Sequence, residues 1–592
     1  MTFQTYTKTT SPTDGPDRLA ALRAQLQEAG FDGVIIPRAD AHQGEYVAEC
    51  DNRLAWLTGF TGSAGFCIAL MDSAGVFIDG RYRLQVKEQV DMQAFTPVHW
   101  PETKPATWLK DQLSAGRIAY DPWLFTKGQI DEIERGLKGT KLTLVASDNL
   151  VDRIWEDRPA QPQGAVSLYP IALAGEDSHD KRARLASALK EAGQTAAVLT
   201  LPDSICWLLN IRGSDIPRIP VAQCFAVLYD SGNLDLFIDP AKLGALELGP
   251  DITSRPQGEF EAALATLTGP VRVDPTSAPL AVSAALQAAS VEIAYAEDPC
   301  ILPKACKNST EIAATRAAHL RDAKAMVAFL CWLDAQPAGS LTEIDVAQKL
   351  EGFRRKTNAL KDISFETISG AGPNGAIVHY RVTEESNRRV DEGLLLVDSG
   401  GQYVDGTTDI TRTIAIGQPT EEQRRCFTLV LQGMIAVSLA RFPKGLAGRD
   451  LDALARAPLW RHGFDYDHGT GHGVGVYLSV HEGPQRISRI SEVPLQAGMI
   501  LSNEPGYYRE GAFGIRIENL IVTQPAPALG DNREQLQFET LTWVPIDRRL
   551  IAVEMLSPKE RDWIDAYHAE IAEKLDMSGP EQDWLAAATA PL

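Results

Sequence analysis

Residues 499–523 read MILSNEPGYYREGAFGIRIENLIVT. Apolar, Gly-punctuated strand patterns stand on either side of the turn-like Arg509-Glu510-Gly511-Ala512. If the segment folds as a hairpin centred on Gly511, Glu504 and Glu518 fall opposite each other, with Cβ atoms roughly 5 Å apart. Pro505 weakens the ladder locally because it has no N–H to give. Two like charges facing each other destabilise a sheet, so the pairing calls for a cation between them.

Upstream, the same logic recurs. GLLLVDSG (393–400) and TTDITRTIAIG (407–417) read as neighbouring strands around the turn-rich GQYVDG, which places Asp398 and Asp409 in apolar strand contexts. One such acid is ordinarily a strand-end residue satisfied by backbone amides. Four are different, because buried carboxylates are costly unless paired or metal-bound. Histidine is scarce, with ten in the chain, yet His379, His462, His468, His472 and His481 all fall in this region. Four carboxylates and the His472 imidazole form a hard, oxygen-rich donor set, better matched to Mn²⁺ or Mg²⁺ than to a thiolate zinc site. Four negative charges balance two divalent cations, and such a pair activates water for hydrolysis. A dinuclear hydrolase is the first expectation. His468-Gly-Thr-Gly-His472 is not the helical H-E-x-x-H pair: Gly and Thr are poor helix formers and the Glu is missing. In an extended segment the two rings lie roughly 13 Å apart, so at most one of them is a ligand.

The rest of the 592-residue chain has room for two to four domains. Residues 17–63 and 180–214 repeat one design: a helical pattern ending in Glu-Ala-Gly, a short β-rich run bounded by Pro, then W-L-x-x-(F/I)-x-G-S at Trp56 and Trp207. Two related α/β domains in tandem are expected. The Pro-rich DRPAQPQGA (157–165) reads as a linker, and a second boundary is expected near 298–303. The domains are therefore 1–160, 166–302 and 303–592, an α/β (α+β) architecture. In the last domain Asn308/Glu311 and Thr420/Gln423 mark helix starts of the capping-box type, and Ser557-Pro558-x-Glu560 a further start with Pro at the first helical position. The helix after Ser557 carries Trp563, Ile564, Tyr567, Ile571 and Leu575 at helical spacing, a packing pattern.

Lys plus Arg is 57 and Asp plus Glu is 78, a net charge of −21, which opposes a nucleic-acid or anionic-membrane partner. None of the eight cysteines forms C-x-x-C, so buried free thiols in a reducing compartment are expected. The polar MTFQTYTKTTSPTDG lacks the apolar core of a secretory signal, and no run approaches the ~18 apolar residues of a membrane span. The expected location is cytoplasmic.

AGPNGAIVHY (371–380), LLLVDSGGQYVDGTTDITRT (394–413), HGTGHGVGVYLSVHEGP (468–484) and NEPGYYREGAFGIRIEN (503–519) resemble the metallopeptidases of the pita-bread fold. Within them the match is to aminopeptidase P, the Xaa-Pro aminopeptidases, in their long three-domain cytosolic form. DAHQGEY (40–46), DGRYRLQ (79–85), NLVDRIWEDRP (149–159) and NIRGSD (210–215) are similar to that form too. The resemblance implies two creatinase-like, non-catalytic α/β domains before a pita-bread catalytic domain, and no ligand position departs from the family pattern. It implies that Asp398 and Asp409 bind one metal, with Asp409 bridging to a second completed by His472, Glu504 and the bridging Glu518. The metal it implies is manganese. His379 and His481 match outer histidines that contact substrate and the tetrahedral intermediate, His468 a further site histidine, and Arg516 an arginine near the site. A homodimer is implied as well.

The expected reaction is hydrolysis of Xaa-Pro-peptides. Hydroxide held by the metals attacks the first carbonyl, with a metal and His379 or His481 stabilising the oxyanion. Glu504 takes the proton and returns it to the proline nitrogen. Rival readings are a prolidase confined to dipeptides, a methionine aminopeptidase, and an inactive pita-bread binding protein. The two-domain front opposes the first two, and the complete ligand set opposes the third.

Overall fold

The computed structural model describes residues 2–530 and 532–592. It divides into two compact units: Thr9–Lys304 forms one, and the N-terminal segment through Lys8 together with Ala305–Leu592 forms the other.

The Thr9–Lys304 unit contains the repeat. The Gly15–Ala29 helix buries Leu19, Leu22 and Leu26 on one face and stops at Gly30, whose φ of 71° suits glycine. Phe31 N–H then closes back onto Leu26 O (2.9 Å). The Ser178–Glu191 helix buries Leu185, Ala186 and Leu189 and ends the same way, with Gly193 at φ 67° and Gln194 N–H on Leu189 O (2.9 Å). The strand that follows sits inside a six-stranded sheet in both cases. The first sheet has the order Thr96–His99, Ala74–Ile78, Phe66–Leu70, Gly33–Pro37, Ala115–Tyr120, Lys141–Ala146. The second runs Ile252–Arg255, Leu234–Phe237, Phe225–Tyr229, Ala196–Leu199, Val271–Val273, Ile293–Tyr295. Directions correspond strand for strand: Gly33–Pro37 and Ala196–Leu199 each pair antiparallel with the hairpin strand on one side and parallel with the crossover strand on the other. Trp56 stacks on Trp155 (5.3 Å), while Trp207 is buried under the Lys181 ammonium (4.4 Å).

The second unit is built around the Gly511 hairpin. A three-stranded sheet joins Ile368–Ala371, Gly393–Ser399 and Ile410–Ile416. A six-stranded sheet runs Arg441–Pro443, Gln535–Thr540, Asn519–Pro525, Ile500–Asn503, Gly471–Gly473, Glu482–Ile487. Helices Ser309–Asp334, Glu421–Ser438 and Pro558–Lys574 supply most of the apolar core around these sheets, and all three begin where expected, each at a capping box. This is the mixed α/β, pita-bread arrangement.

The start of the chain departs from the sequence reading, which opens the first α/β domain at residue 1. Gln4 and Thr367 exchange two hydrogen bonds (2.9 and 3.3 Å), Phe3 N–H donates to both Glu351 carboxylate oxygens, and Tyr6 packs with Ala347, Ile368, Tyr380 and Val382. Extended chain with alternating side chains can be strapped onto any surface with free backbone partners, so hydropathy alone does not reveal its destination.

Among the described residues no helix is long and apolar enough to cross a membrane. All eight cysteines are free, six of them buried.

Candidate metal centre

The hairpin keeps one register throughout. Ile500 faces Val522, Asn503 faces Asn519, Gly506 faces Arg516 and Arg509 faces Phe513, every pair symmetric about Gly511 at φ 72°. The ladder is interrupted at 504–505 and 517–518, where Pro505 has no donor. Glu504 and Glu518 occupy that gap, and their backbone N–H groups reach other segments. Glu504 N–H donates to Thr470 O (2.8 Å) and Glu518 N–H to Thr411 O (3.1 Å). Thr470 is two residues from His472, and Thr411 is two residues from Asp409. The break in the ladder thus stitches the hairpin to both other stretches that carry candidate ligands.

Asp398 lies opposite Thr411 on the adjoining strand. Asp409 is two residues before Thr411, so alternation puts all three side chains on one face. His472 arrives on the short Gly471–Gly473 strand. Its approach depends on Gly471, where a Cβ would lie 1.9 Å from Ser502 O.

One ligand atom each from Asp409, His472 and Glu518 falls within a 4.8 Å cluster. His472 Nε2 is 3.5 Å from Asp409 Oδ2 and 3.4 Å from Glu504 Oε1. His472 Nδ1 faces Gly473 O at 2.9 Å, so in the neutral ring the proton sits there and the Nε2 lone pair points at the carboxylates. Asp398 Oδ2 accepts from Arg516 (2.6 Å), and Glu518 Oε2 accepts from the Thr411 hydroxyl (2.7 Å). The other oxygens of these two acids, Asp398 Oδ1 and Glu518 Oε1, are buried with no partner.

The electrostatics carry the same message. Burial, then the charges of Asp409, Glu504 and Asp398, pushes the Glu518 carboxyl well above the usual range. Burial raises Asp398 to about 6 against the pull of Arg516, and raises Glu504 against the pull of His472 and Arg516. Burial disfavours the His472 imidazolium, but Asp409 and Glu504 outweigh it and lift the imidazole to about 9. Asp398, Glu504 and Glu518 are thus held toward their protonated forms, a bias that added positive charge would relieve. Orphaned carboxylate oxygens, an imidazole lone pair aimed inward and a hard donor set fit a pair of divalent cations.

His468 points elsewhere. Its Nδ1 faces Gly469 O (2.8 Å) and its Nε2 accepts from the Tyr508 hydroxyl (2.9 Å), which in turn accepts from Arg516 Nη1 (2.6 Å). A chain of hydrogen bonds therefore runs His468–Tyr508–Arg516–Asp398. The His481 ring lies edge-on to His472, centroids 4.3 Å apart. His379 is half-buried on the turn between Ala376 and Tyr380, and that turn is anchored by the Tyr380 hydroxyl on Glu343 (2.9 Å). Tyr508 is a member of the network that the sequence reading missed. A tyrosine in a hairpin is an ordinary β-former, and nothing in its spacing marks it.

The chain is 39% identical to aminopeptidase P2 of Arabidopsis thaliana over 97% of its own length and 88% of the plant protein. Residues 313–525 match the model of metallopeptidase family M24. The chain belongs to metallopeptidase family M24. This M24 protein also matches the creatinase/prolidase N-terminal domain twice, at 18–154 and 157–311, and the C-terminal region of peptidase M24 at 534–592. A probable Xaa-Pro aminopeptidase P of Paracoccidioides brasiliensis (strain Pb03) is 38% identical, covering 98% of this chain and 99% of the fungal one. The crystal structure of X-prolyl aminopeptidase from Caenorhabditis elegans, described as a cytosolic enzyme with a di-nuclear active site, superposes with a TM-score of 0.92 at 33% identity, covering 97% and 99% of the two chains.

Proposed function

We propose that this M24 protein is an Xaa-Pro aminopeptidase that releases the first residue from peptides with proline in second position. The observation that carries the reading is the convergence of Asp398, Asp409, His472, Glu504 and Glu518, with Asp398 Oδ1 and Glu518 Oε1 buried and unpartnered, in a chain whose full-length relatives bear that name.

Asp398, Asp409, His472, Glu504 and Glu518 would together hold the two cations. Two bound divalent cations supply Lewis acidity and an acidified water near neutral pH. Glu504 is the proton carrier: it accepts the proton of the attacking water and delivers it to the proline nitrogen. That delivery is essential because Xaa-Pro is a tertiary amide whose amine leaves poorly unless protonated. His379 and His481 are assigned to the scissile carbonyl, where donors positioned for the developing negative charge lower the barrier. Arg516 orients Asp398 through a charge-assisted bond, and Tyr508 ties that arginine to His468. The acidic cluster also suits the free α-amino group of a peptide.

The oxygen-rich donor set suits hard cations such as Mn²⁺ or Mg²⁺, and the family resemblance makes manganese the metal assigned. Free cysteines throughout favour a reducing, cytoplasmic setting, and the −21 charge disfavours nucleic acid and anionic membrane. A homodimer, and non-catalytic domains through 160 and at 166–302 ahead of a catalytic domain at 303–592 onto which the first eight residues strap, complete the proposal.

The test is metal reconstitution followed by product identification on Arg-Pro-Pro and Gly-Pro. Free arginine and Pro-Pro, formed only with added Mn²⁺, are expected. Cleavage of Gly-Pro alone would make the chain a dipeptidase, and no cleavage with any divalent cation would overturn the assignment.

A further inference from the structure

Arg412 follows Thr411 on the Ile410–Ile416 strand, so its side chain leaves the sheet on the face away from the acidic cluster. It is 2% exposed, and burial pulls its pKa down. Among the described residues no carboxylate lies within ion-pair distance of it. Its N–H groups meet neutral acceptors instead. Nε donates to Pro545 O (3.1 Å), Nη1 to Thr411 O (2.9 Å) and Glu518 O (2.5 Å), and Nη2 to Asn519 Oδ1 (2.8 Å), Val544 O (2.7 Å) and the Tyr567 hydroxyl (3.1 Å).

A buried guanidinium without a counter-charge is expensive and survives only where every donor is met. Two features of the surroundings explain its use here. Glu518 sits in the ladder gap, so its carbonyl lacks the strand partner it would otherwise have, and Arg412 takes that place. On the far side, Tyr567 of the Pro558–Lys574 helix is held rigidly. Its hydroxyl donates toward Thr542 O and Val544 O (2.9 Å each), and its ring stacks on Trp563 (5.1 Å) and Trp543 (5.7 Å). The guanidinium is therefore clamped between a fixed tyrosine and the backbone of Glu518.

We propose that Arg412 and Tyr567 are positioning residues for the cation pair, and that the Pro558–Lys574 helix supports the metal centre by holding Glu518 from behind through its own carbonyl. This rests on the metal reading above. Partners behind metal ligands typically set affinity by 10–100-fold.

The experiment is Mn²⁺ titration of the full chain, followed by electron paramagnetic resonance, with thermal unfolding alongside, for the parent, Tyr567→Phe, Arg412→Lys and Ile571→Ala. Ile571 is fully buried on the same helix and bonds to nothing in the relay. Tyr567→Phe and Arg412→Lys are expected to weaken Mn²⁺ binding by about 10–100-fold, with kcat recovering in excess Mn²⁺ and KM for peptide unchanged. Ile571→Ala is expected to lower Tm and leave Mn²⁺ affinity at the parental value. Parental affinity in folded Tyr567→Phe overturns the proposal, whether or not Arg412→Lys folds. So does an Ile571→Ala loss of affinity equal to that of Tyr567→Phe. A parent chain that takes up no divalent cation overturns the metal reading itself, a result distinct from any of these.

Discussion

Both units of the chain bury charge, and they treat it differently. In the Thr9–Lys304 unit several buried cations meet anions, while the buried Arg182 donates to the Gly232 carbonyl. Lys242 faces Asp215 at 2.8 Å, Lys304 faces Asp203 at 2.8 Å, and Arg53 is shared between Asp51 (2.9 Å) and Asp152 (2.6 Å). Asp298 has one oxygen without a partner, and burial raises its carboxyl to about 6. In the second unit Arg354 and Asp322 repeat the balanced pattern at 2.8 Å, but among the described residues Arg516 is the one arginine or lysine ion-paired with the four acids around His472. Buried charge alone is therefore a poor marker of a site. An excess of one sign, gathered from distant segments and left with orphaned oxygens, is the informative feature.

The contrast is broken most strongly at Glu504. Glu504→Gln is expected to lower kcat on an Xaa-Pro-Pro peptide by roughly 10²–10⁴-fold, the scale of a lost proton carrier, with circular dichroism and Tm preserved. Near-parental turnover would remove that residue from the chemistry. The matching change in the other unit is Lys242→Met, which strands Asp215. It is expected to cost about 3–5 kcal/mol in denaturant unfolding, yet leave Mn²⁺ stoichiometry at the parental value.

His568 sharpens the comparison with a pH sign. It is fully buried, Nε2 accepts from Ile546 N–H (3.1 Å), and burial, then Arg412 and Arg548, lowers its pKa to about 4. The unfolded chain takes up this proton first, so the stability His568 provides is fully present above pH 6.5 and is lost as pH falls toward 4. The window spans about 2.5 pKa units, at most about 3 kcal/mol. Asp298 has the opposite sign: its raised pKa makes folding less favourable as pH climbs from about 3.8 to 6. Tm measured from pH 4 to 7 is expected to show a shallower acid limb in His568→Gln than in the parent, and an unchanged limb would remove this origin. The smallest effect is expected at the N-terminal strap. Gln4 is 1% exposed and exchanges two hydrogen bonds with Thr367, so Gln4→Ala is expected to destabilise the second unit by about 1–3 kcal/mol. Hydrogen exchange at Thr367 reads it directly, and unchanged protection there would show the strap to be dispensable.

Much of this was legible in the residues. The hairpin register about Gly511 could be read because a two-residue alternation has only one midpoint that opposes Glu504 and Glu518. The helix starts at Asn308, Thr420 and Ser557 could be read because a capping box is local chemistry within four residues. The tandem α/β design could be read because the same helix-stop and strand signals occur twice. Tyr508, Arg412 and Tyr567 escaped, since each looks like an ordinary strand or helix residue until its partners, up to 155 positions away, are in place.

By itself the sequence determined the secondary structure around the site, the hairpin centre and which acids and histidine to propose as ligands, because propensity, capping and alternation act over a few residues. Only the tertiary structure decided that Glu504 and Glu518 sit in a ladder gap stitched to Thr470 and Thr411, that the first residues strap onto the second unit, and that a buried arginine stands behind Glu518. Those outcomes depend on which unsatisfied backbone group meets which distant donor, and that is settled only when the whole chain has packed.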